Sequence, residues 1–282
     1  MIITRPLHRG RTFSFRDTMP VISYQHSGRQ GDLLYSQYFC LQRSKGQPYD
    51  LHMRINVPDD HDPGGRRVFM TAKDAEFVAS ILREQPYIRN LTIGENDCIP
   101  AADVTSYINL DLFRSTQPRY GMEEIREWYY RLSSLKPEGF DKKILTIPPS
   151  DIPKHGKLII CFTGRYKPAV NPAVLQKYAD RIVYVGLPRE YDMFCSKYFK
   201  CDYHPVQTLK DVLQYTEKGC GFVGNISGQY AAMELAKLPR ILCLPTGGGD
   251  VRPYGPNGVA VMDSKKLLKS VETLFNTYKL AE

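Results

Sequence analysis

The run Gly221-Phe222-Val223-Gly224-Asn225-Ile226-Ser227-Gly228-Gln229-Tyr230-Ala231-Ala232-Met233-Glu234 constrains this chain more than any other part of it. A short apolar strand ends in small, conformationally permissive residues, and a Ser-Gly pair then opens a helix. This strand-turn-helix unit is the building block of parallel α/β sheets. A helix start offers unpartnered N–H groups and the positive end of the helix dipole, which together suit a phosphate. Glu234 follows Ser227 by seven helical steps, roughly 10 Å along the axis at about 1.5 Å per residue. A carboxylate at that distance accepts hydrogen bonds from sugar hydroxyls. The segment therefore reads as a grip for a nucleotide sugar, with Asn225, Ser227 and Gly228 at the diphosphate and Glu234 at the ribose.

The same alternation runs through most of the chain. Val21–Tyr24 predicts a strand, the turn Ser27-Gly28-Arg29-Gln30-Gly31-Asp32 follows, and Leu33–Cys40 begins a helix. Further strands are expected over 51–55, 87–93 and 107–112, with a helix capped by Thr71 and Asp74 and another over 121–135. Pro137, Gly139, Pro148, Pro149 and Pro153 interrupt regular structure over 136–157, which predicts a hinge between domains 1–150 and 151–282. The second half repeats the pattern. Strands are expected over 157–162, 181–186, 220–223, 240–244 and 259–262, and helices over 171–178, 209–218, 227–238 and 264–279. The fold class is thus α/β, with two Rossmann-like domains facing a cleft and ligands at the carboxyl ends of the strands.

Composition narrows the classes. The chain of 282 residues has a net charge of +8 and a mean hydropathy of −0.38, as expected of a water-soluble globular protein. No apolar stretch is long enough to span a bilayer and no secretory leader is visible, so a cytoplasmic location is expected. Residues 1–150 hold 20 Lys and Arg against 18 acids, and residues 151–282 hold 18 against 12. Arg5, Arg9, Arg11 and Arg16 precede the first acid. Such a field favours a polyanionic partner. The seven cysteines include no Cys-x-x-Cys pair, and Cys161, Cys220 and Cys243 sit in strand-like runs as small hydrophobes. Cys195, Cys201 and His204 fit no common zinc spacing, so no metal is expected.

Neither the dinucleotide fingerprint nor the P-loop pattern occurs. The turn after the first strand places Asp32 at a helix entrance, where it serves either as a capping carboxylate or as a base toward an acceptor hydroxyl. Gly31 brings backbone close to the donor. His26, Arg29, Arg9 and Arg11 are acceptor-side candidates. After the first strand of the second half, Arg165 and Lys167 supply two cations for a diphosphate leaving group. Gly186, with Leu187 and Pro188, can set backbone against a nucleobase.

Together these elements resemble the GT-B glycosyltransferases, specifically the lipopolysaccharide heptosyltransferase-like family. The family's N-terminal strand and Ser-x-x-Gly-Asp signature look like Ser27-Gly28-Arg29-Gln30-Gly31-Asp32, and the resemblance implies that Asp32 is the general base. Its Gly-x-Asp-[Ser/Thr]-Gly donor motif looks like Gly224-Asn225-Ile226-Ser227-Gly228, and its cations match Arg165 and Lys167. The motif's Asp is Ile226 here, and a His common on the following helix is Ala231. The first sixteen or so residues have no counterpart in the family.

The resulting expectation is a metal-independent, inverting transfer of sugar from a nucleoside-diphosphate sugar, with no tightly bound cofactor. A hydroxymethylated pyrimidine in double-stranded DNA is one acceptor compatible with the charge, and a cell-surface or lipid-linked glycan is another. A sugar-nucleotide 2-epimerase and a non-catalytic nucleotide- or nucleic-acid-binding module are the competing readings.

Overall fold

A computed structural model describes residues 21–59, 62, 67–164 and 166–278. The first half contains β1 (Val21–His26), α1 (Gln30–Arg43), β2 (Tyr49–Arg54), α2 (Ala72–Leu82), β3 (Ile88–Gly94), β4 (Val104–Asn109) and α3 (Ile125–Tyr130). The second contains β5 (Leu158–Cys161), β6 (Ile182–Val185), α4 (Pro188–Lys197), β7 (Asp202–His204), α5 (Leu209–Glu217), β8 (Gly221–Gly224), α6 (Gly228–Ala236), β9 (Arg240–Cys243), β10 (Gly258–Val261) and α7 (Ser264–Thr277). Among the described residues the strands form two all-parallel sheets, ordered β3-β2-β1-β4 and β10-β9-β8-β5-β6-β7.

Strand order decides where a ligand can sit. Each sheet reverses direction beside its first strand, between β1 and β4 in one and between β5 and β8 in the other. At such a switch point adjacent loops part in opposite directions and leave a crevice at the carboxyl end. The turn after β1 and the turns after β5 and β8 are the ones singled out in the sequence.

Alternation explains the packing. Ile159 and Cys161 of β5 join a core shared by both halves, whereas Leu158 and Ile160 point to the opposite face and pack with Leu267 and Phe275 of α7. Burial on both faces accounts for the uninterrupted apolar run of that strand. In the first sheet Tyr24, Leu51 and Met53 enter the shared core. The other face bears Ser23, Gln25, Asp50 and His52; Gln25 Nε2 donates to Asp97 at 2.9 Å and His52 bonds Thr92 at 2.8 Å.

Several expectations change in detail. The helix expected over 121–135 shortens to α3, because Gly121 adopts φ +75° and the Ser133 hydroxyl engages the Tyr130 carbonyl at 3.4 Å. Residues 172–181 form a 3₁₀ segment rather than an α-helix, starting behind Asn171, whose side chain caps Ala173 N at 3.1 Å. The Thr71–Asp74 capping box forms as expected, with reciprocal bonds of 3.2 and 3.1 Å. Residues 136–157 carry no regular element, but they do not hang free as a hinge. Leu235 O accepts from Ile144 N and Leu145 N, Gln85 pairs with Thr146 through both side-chain atoms, and Gln214 donates to the carbonyls of Pro148 and Pro149.

A buried ion cluster joins the halves more firmly still. Glu234 is fully buried; its Oε1 accepts from Lys237 Nζ at 2.7 Å, Tyr254 N at 3.0 Å and Arg126 Nη1 at 3.2 Å, and its Oε2 accepts from Arg240 Nε at 2.5 Å. Arg126, on α3 of the first half, also donates to Glu124 at 2.7 Å and to the Arg252 carbonyl. Burial and the neighbouring guanidinium groups hold Lys237 down at about 8 despite its bonds to Glu234. The carboxylate expected at a ribose is therefore saturated by three cations and an amide, and it tethers α3 to α6. Leaving those cations buried without their anion is costly. Glu234→Ala should lower the unfolding free energy by about 3–5 kcal/mol, read by chemical denaturation; unchanged stability with weaker nucleotide binding would restore the ribose role.

Candidate active site

The carboxyl ends of the two sheets enclose a cleft of about 800 Å³. Its walls come from both halves: Arg29–Asp32, Tyr35 and Trp128 from one, and Thr163, Glu190, Ile226–Gln229 and Gly248–Val251 from the other. The two helix starts meet across it. A Cβ on Gly228 would lie 2.6 Å from Gln30 Oε1 and 2.8 Å from Gln30 Cβ, and one on Gly31 would lie 3.8 Å from the Ser227 carbonyl oxygen. Gly228 is thus required by the close approach of α1 to α6. Ser227 caps α6, its hydroxyl accepting from Tyr230 N at 3.1 Å. First-turn N–H groups have no partner within a helix, so the starts of α1 and α6 direct two positive dipole ends at one volume.

Asp32 caps its helix and also borders the cleft. Its carboxylate accepts from Arg29 N at 3.3 Å, which closes the start of α1, and it is also partly exposed in the cleft wall. Behind it lies a hydrogen-bonded chain. Gly28 N donates to His26 Nδ1 at 2.8 Å, so the imidazole carries its proton on Nε2 and donates to Tyr129 Oη at 2.9 Å. Tyr129 in turn donates to the Asp32 carbonyl at 2.9 Å. His26 is fully buried and absent from the cleft wall, which removes it from the acceptor side and makes it a support for the turn that carries Asp32. Arg29 does line the cleft, paired with the buried Asp59.

Donor-side candidates divide in the same way. Ser227, Gly228 and Gly31 line the cleft. Asn225 is fully buried. Its Nδ2 donates to the carbonyls of Thr163 and Tyr166 at 2.8 and 2.7 Å, while its Oδ1 accepts from Thr163 N at 3.0 Å. It clamps the loop after β5 to the loop after β8 and has no free atom for a donor. Lys167 is exposed on the β5 loop, outside the lining residues. Gly186 is buried at φ +150° and makes the turn rather than the wall; the wall begins at Leu187. Arg165, Arg9 and Arg11 lie outside the described residues. Among the described residues no cluster of three His, Cys, Asp or Glu could hold a metal ion, and no helix is long and apolar enough to cross a membrane.

The sequence reading missed Glu190, which lies in the cleft wall at the start of α4. Burial raises its pKa, opposed by bonds from the N–H groups of Leu187 and Gly164. Its signal was present: Pro188 followed by an acid two residues later marks the first turn of a helix. The aromatic run Trp128-Tyr129-Tyr130 suits a polyanionic acceptor by sequence alone; in the fold Phe113 stacks on Trp128 at 5.6 Å and Tyr120 lies edge-on to it at 5.0 Å, beside the cleft.

No family model matches the sequence, and no curated protein matches it. Solved structures do resemble it. The glycosyl transferase family 9 protein of Veillonella parvula superposes with a TM-score of 0.58 at 12% identity, over 92% of this chain and 97% of that one. The heptosyltransferase WaaC of E. coli, solved with ADP-2-deoxy-2-fluoro heptose, gives 0.54 at 13% identity, over 91% and 99%. The dodecameric iron-containing heptosyltransferase TibC, in complex with ADP-D-beta-D-heptose, gives 0.51 at 12%, over 86% of this chain and 62% of that one. The fold is accordingly GT-B, as the two parallel sheets and the cleft between them require.

Two expectations follow from the geometry. Burial lowers the His26 pKa to about 4 from an ordinary 6.5, so the unfolded chain binds the extra proton first and stability falls as pH drops from 6.5 toward 4. In His26→Gln, which keeps one acceptor and one donor, the loss of about 2 kcal/mol between pH 7 and pH 4.5 should largely vanish from denaturation curves at those two pH values. Gly228→Ala should destabilise by about 1–3 kcal/mol, with a matching fall in melting temperature, because the Gln30 side chain, its Cβ included, must retreat; an unchanged melting temperature would show that the helix starts are not in contact.

Proposed function

We propose that this chain is a glycosyltransferase that takes a sugar from a nucleoside-diphosphate sugar, and that Asp32 is its general base. The observation that supports this most strongly is the convergence of two helix starts and one carboxylate on a single interlobe cleft. The diphosphate lies at Ser227, Gly228 and Gly31. Glu190, in place of Glu234, accepts from the ribose hydroxyls, because it is the partly buried carboxylate on the β6 side of the cleft wall. Arg165 and Lys167 remain proposed counter-charges from the loop beside Thr163.

The reaction is a single displacement. The acceptor hydroxyl oxygen attacks the anomeric carbon, its proton passes to the Asp32 carboxylate, and the bond from that carbon to the phosphate oxygen breaks. The nucleoside diphosphate departs with the negative charge, which the two helix starts stabilise as it develops. Backside attack inverts the anomeric centre. The helix starts and basic loops supply the charge compensation that a divalent cation supplies in other transferases.

For the acceptor, the cleft favours an acidic saccharide. Tyr120, 45% exposed and braced edge-on by the buried Trp128, offers an aromatic surface, and Arg29 and Lys73 add positive charge to the cleft lining. A hydroxymethylated pyrimidine in DNA is the second reading; the basic run Arg5, Arg9, Arg11 and Arg16 supports it, since phosphate contacts dominate such binding. A cytoplasmic site of action fits a nucleotide-sugar donor.

Asp32→Asn tests the base. It preserves a capping oxygen, so the fold and donor binding should survive while kcat falls about 10²–10⁴-fold. A variant with full turnover would remove Asp32 from the chemistry, and product formed from the donor with no acceptor present would favour epimerisation instead.

A further inference from the structure

Ile226 sits between the phosphate grip and the loop that follows β9. On one side of it Asn225 clamps the β5 loop. On the other the Gly249 backbone lies directly against Ile226: a Cβ on Gly249 would come within 2.6 Å of Ile226 Cδ1 and 3.3 Å of Leu244 Cδ2. The sheet order places the cleft residues in a row from Glu190 after β6, through Thr163 after β5 and Ser227 after β8, to Gly248 and Gly249 after β9.

The reacting end of that row can be identified. Ile125 N donates to the Asp250 carbonyl at 2.8 Å, which seats α3 beside the β9 loop, and Tyr129 of α3 holds the Asp32 carbonyl. Asp32 therefore belongs to the Ile226 end, and Glu190 to the opposite one. With the diphosphate at Ser227 and Gly228, the ribose lies toward Glu190 and the sugar toward Ile226. The sugar then meets Ile226, with the Gly249 backbone packed against it, in a lining that also includes Pro245, Gly248 and Asp250.

This arrangement, taken with the transferase reading above, bears on the sugar itself. A hydroxyl pressed against an alkyl wall loses its water partners and gains none. We propose that the donor carries a deoxy sugar, with a methyl or methylene group facing Ile226 where an ordinary hexose carries a hydroxyl. Ile226 is then the residue that sets donor preference, and Gly249 is small so that the wall can close on it.

The test is binding and transfer with matched nucleotide-sugar pairs on each common nucleoside diphosphate, the members differing by one hydroxyl at C2, C3, C4 or C6; dTDP-glucose with dTDP-6-deoxyglucose and GDP-mannose with GDP-6-deoxymannose are two such pairs. At one position the deoxy member should be preferred by about 10- to 100-fold in kcat/KM. Ile226→Thr keeps the branch at Cβ and adds a hydroxyl, and Ile226→Asn adds an amide; each should cut that preference by about tenfold. Binding of the nucleoside diphosphate alone shows whether each variant has folded. If the diphosphates bind and every fully hydroxylated sugar is used at least as well as its deoxy partner, the inference fails while the transferase reading stands. If no nucleoside diphosphate binds the wild-type protein, both fall together.

Discussion

The cleft exists because one carboxylate is buried. Glu234 collects Arg126, Lys237 and Arg240 around itself in the interior, and Arg126 comes from the other half of the chain. Desolvating four charges is expensive, and an apolar replacement of equal volume would be as stable or more so. What such a cluster supplies is direction. It admits few geometries, so it holds α3 at a fixed place against α6 and against the loop 252–254. The start of α6 is thereby set opposite the start of α1, where Gln30 and Gly228 touch. A diphosphate site assembled from two helix starts tolerates little displacement, because each dipole acts only over its first turn.

The same economy governs the turn after β1. His26, Tyr129 and Asp32 form one chain of bonds in which a backbone N–H selects the imidazole tautomer. The proposed base is thus aimed by groups that never reach the cleft. Asn225 plays the corresponding part in the other half, with four bonds to the β5 loop. In both halves the turn that faces the cleft is held from behind by a buried polar side chain with its hydrogen bonds made, His26 in one and Asn225 in the other. This arrangement keeps the cleft-facing backbone of both turns rigid.

Local pattern made much of this legible. The βα alternation is readable because buried parallel strands are apolar runs and the turns between them need Gly, Ser and Asp. Both turns that matter, Ser27–Asp32 and Gly224–Gly228, stand in the sequence at the positions the switch points require. Two of the errors share one cause. Glu234 has suitable spacing from Ser227, but its partner Arg126 lies 108 residues away, and nothing local announces it. Asn225 is misread for the same reason, since its partners belong to another loop. His26 was open to correction from the sequence: alternation along β1 puts it on the face of Ile22 and Tyr24, which is the core. Asp32 carried two readings that seemed exclusive, yet a first-turn carboxylate can cap a helix and border a cleft at once.

The proposed function requires the two helix starts to act as one diphosphate site. Calorimetric titration of the wild-type protein with ADP, UDP, GDP and dTDP, each beside its monophosphate and its nucleoside, tests that claim most directly. The geometry predicts that one base will be preferred and that its diphosphate will bind at least about 100-fold more tightly than its nucleoside, as two or more charge-assisted contacts of roughly 1.5–3 kcal/mol each allow. Equal affinity for nucleoside and diphosphate would contradict it.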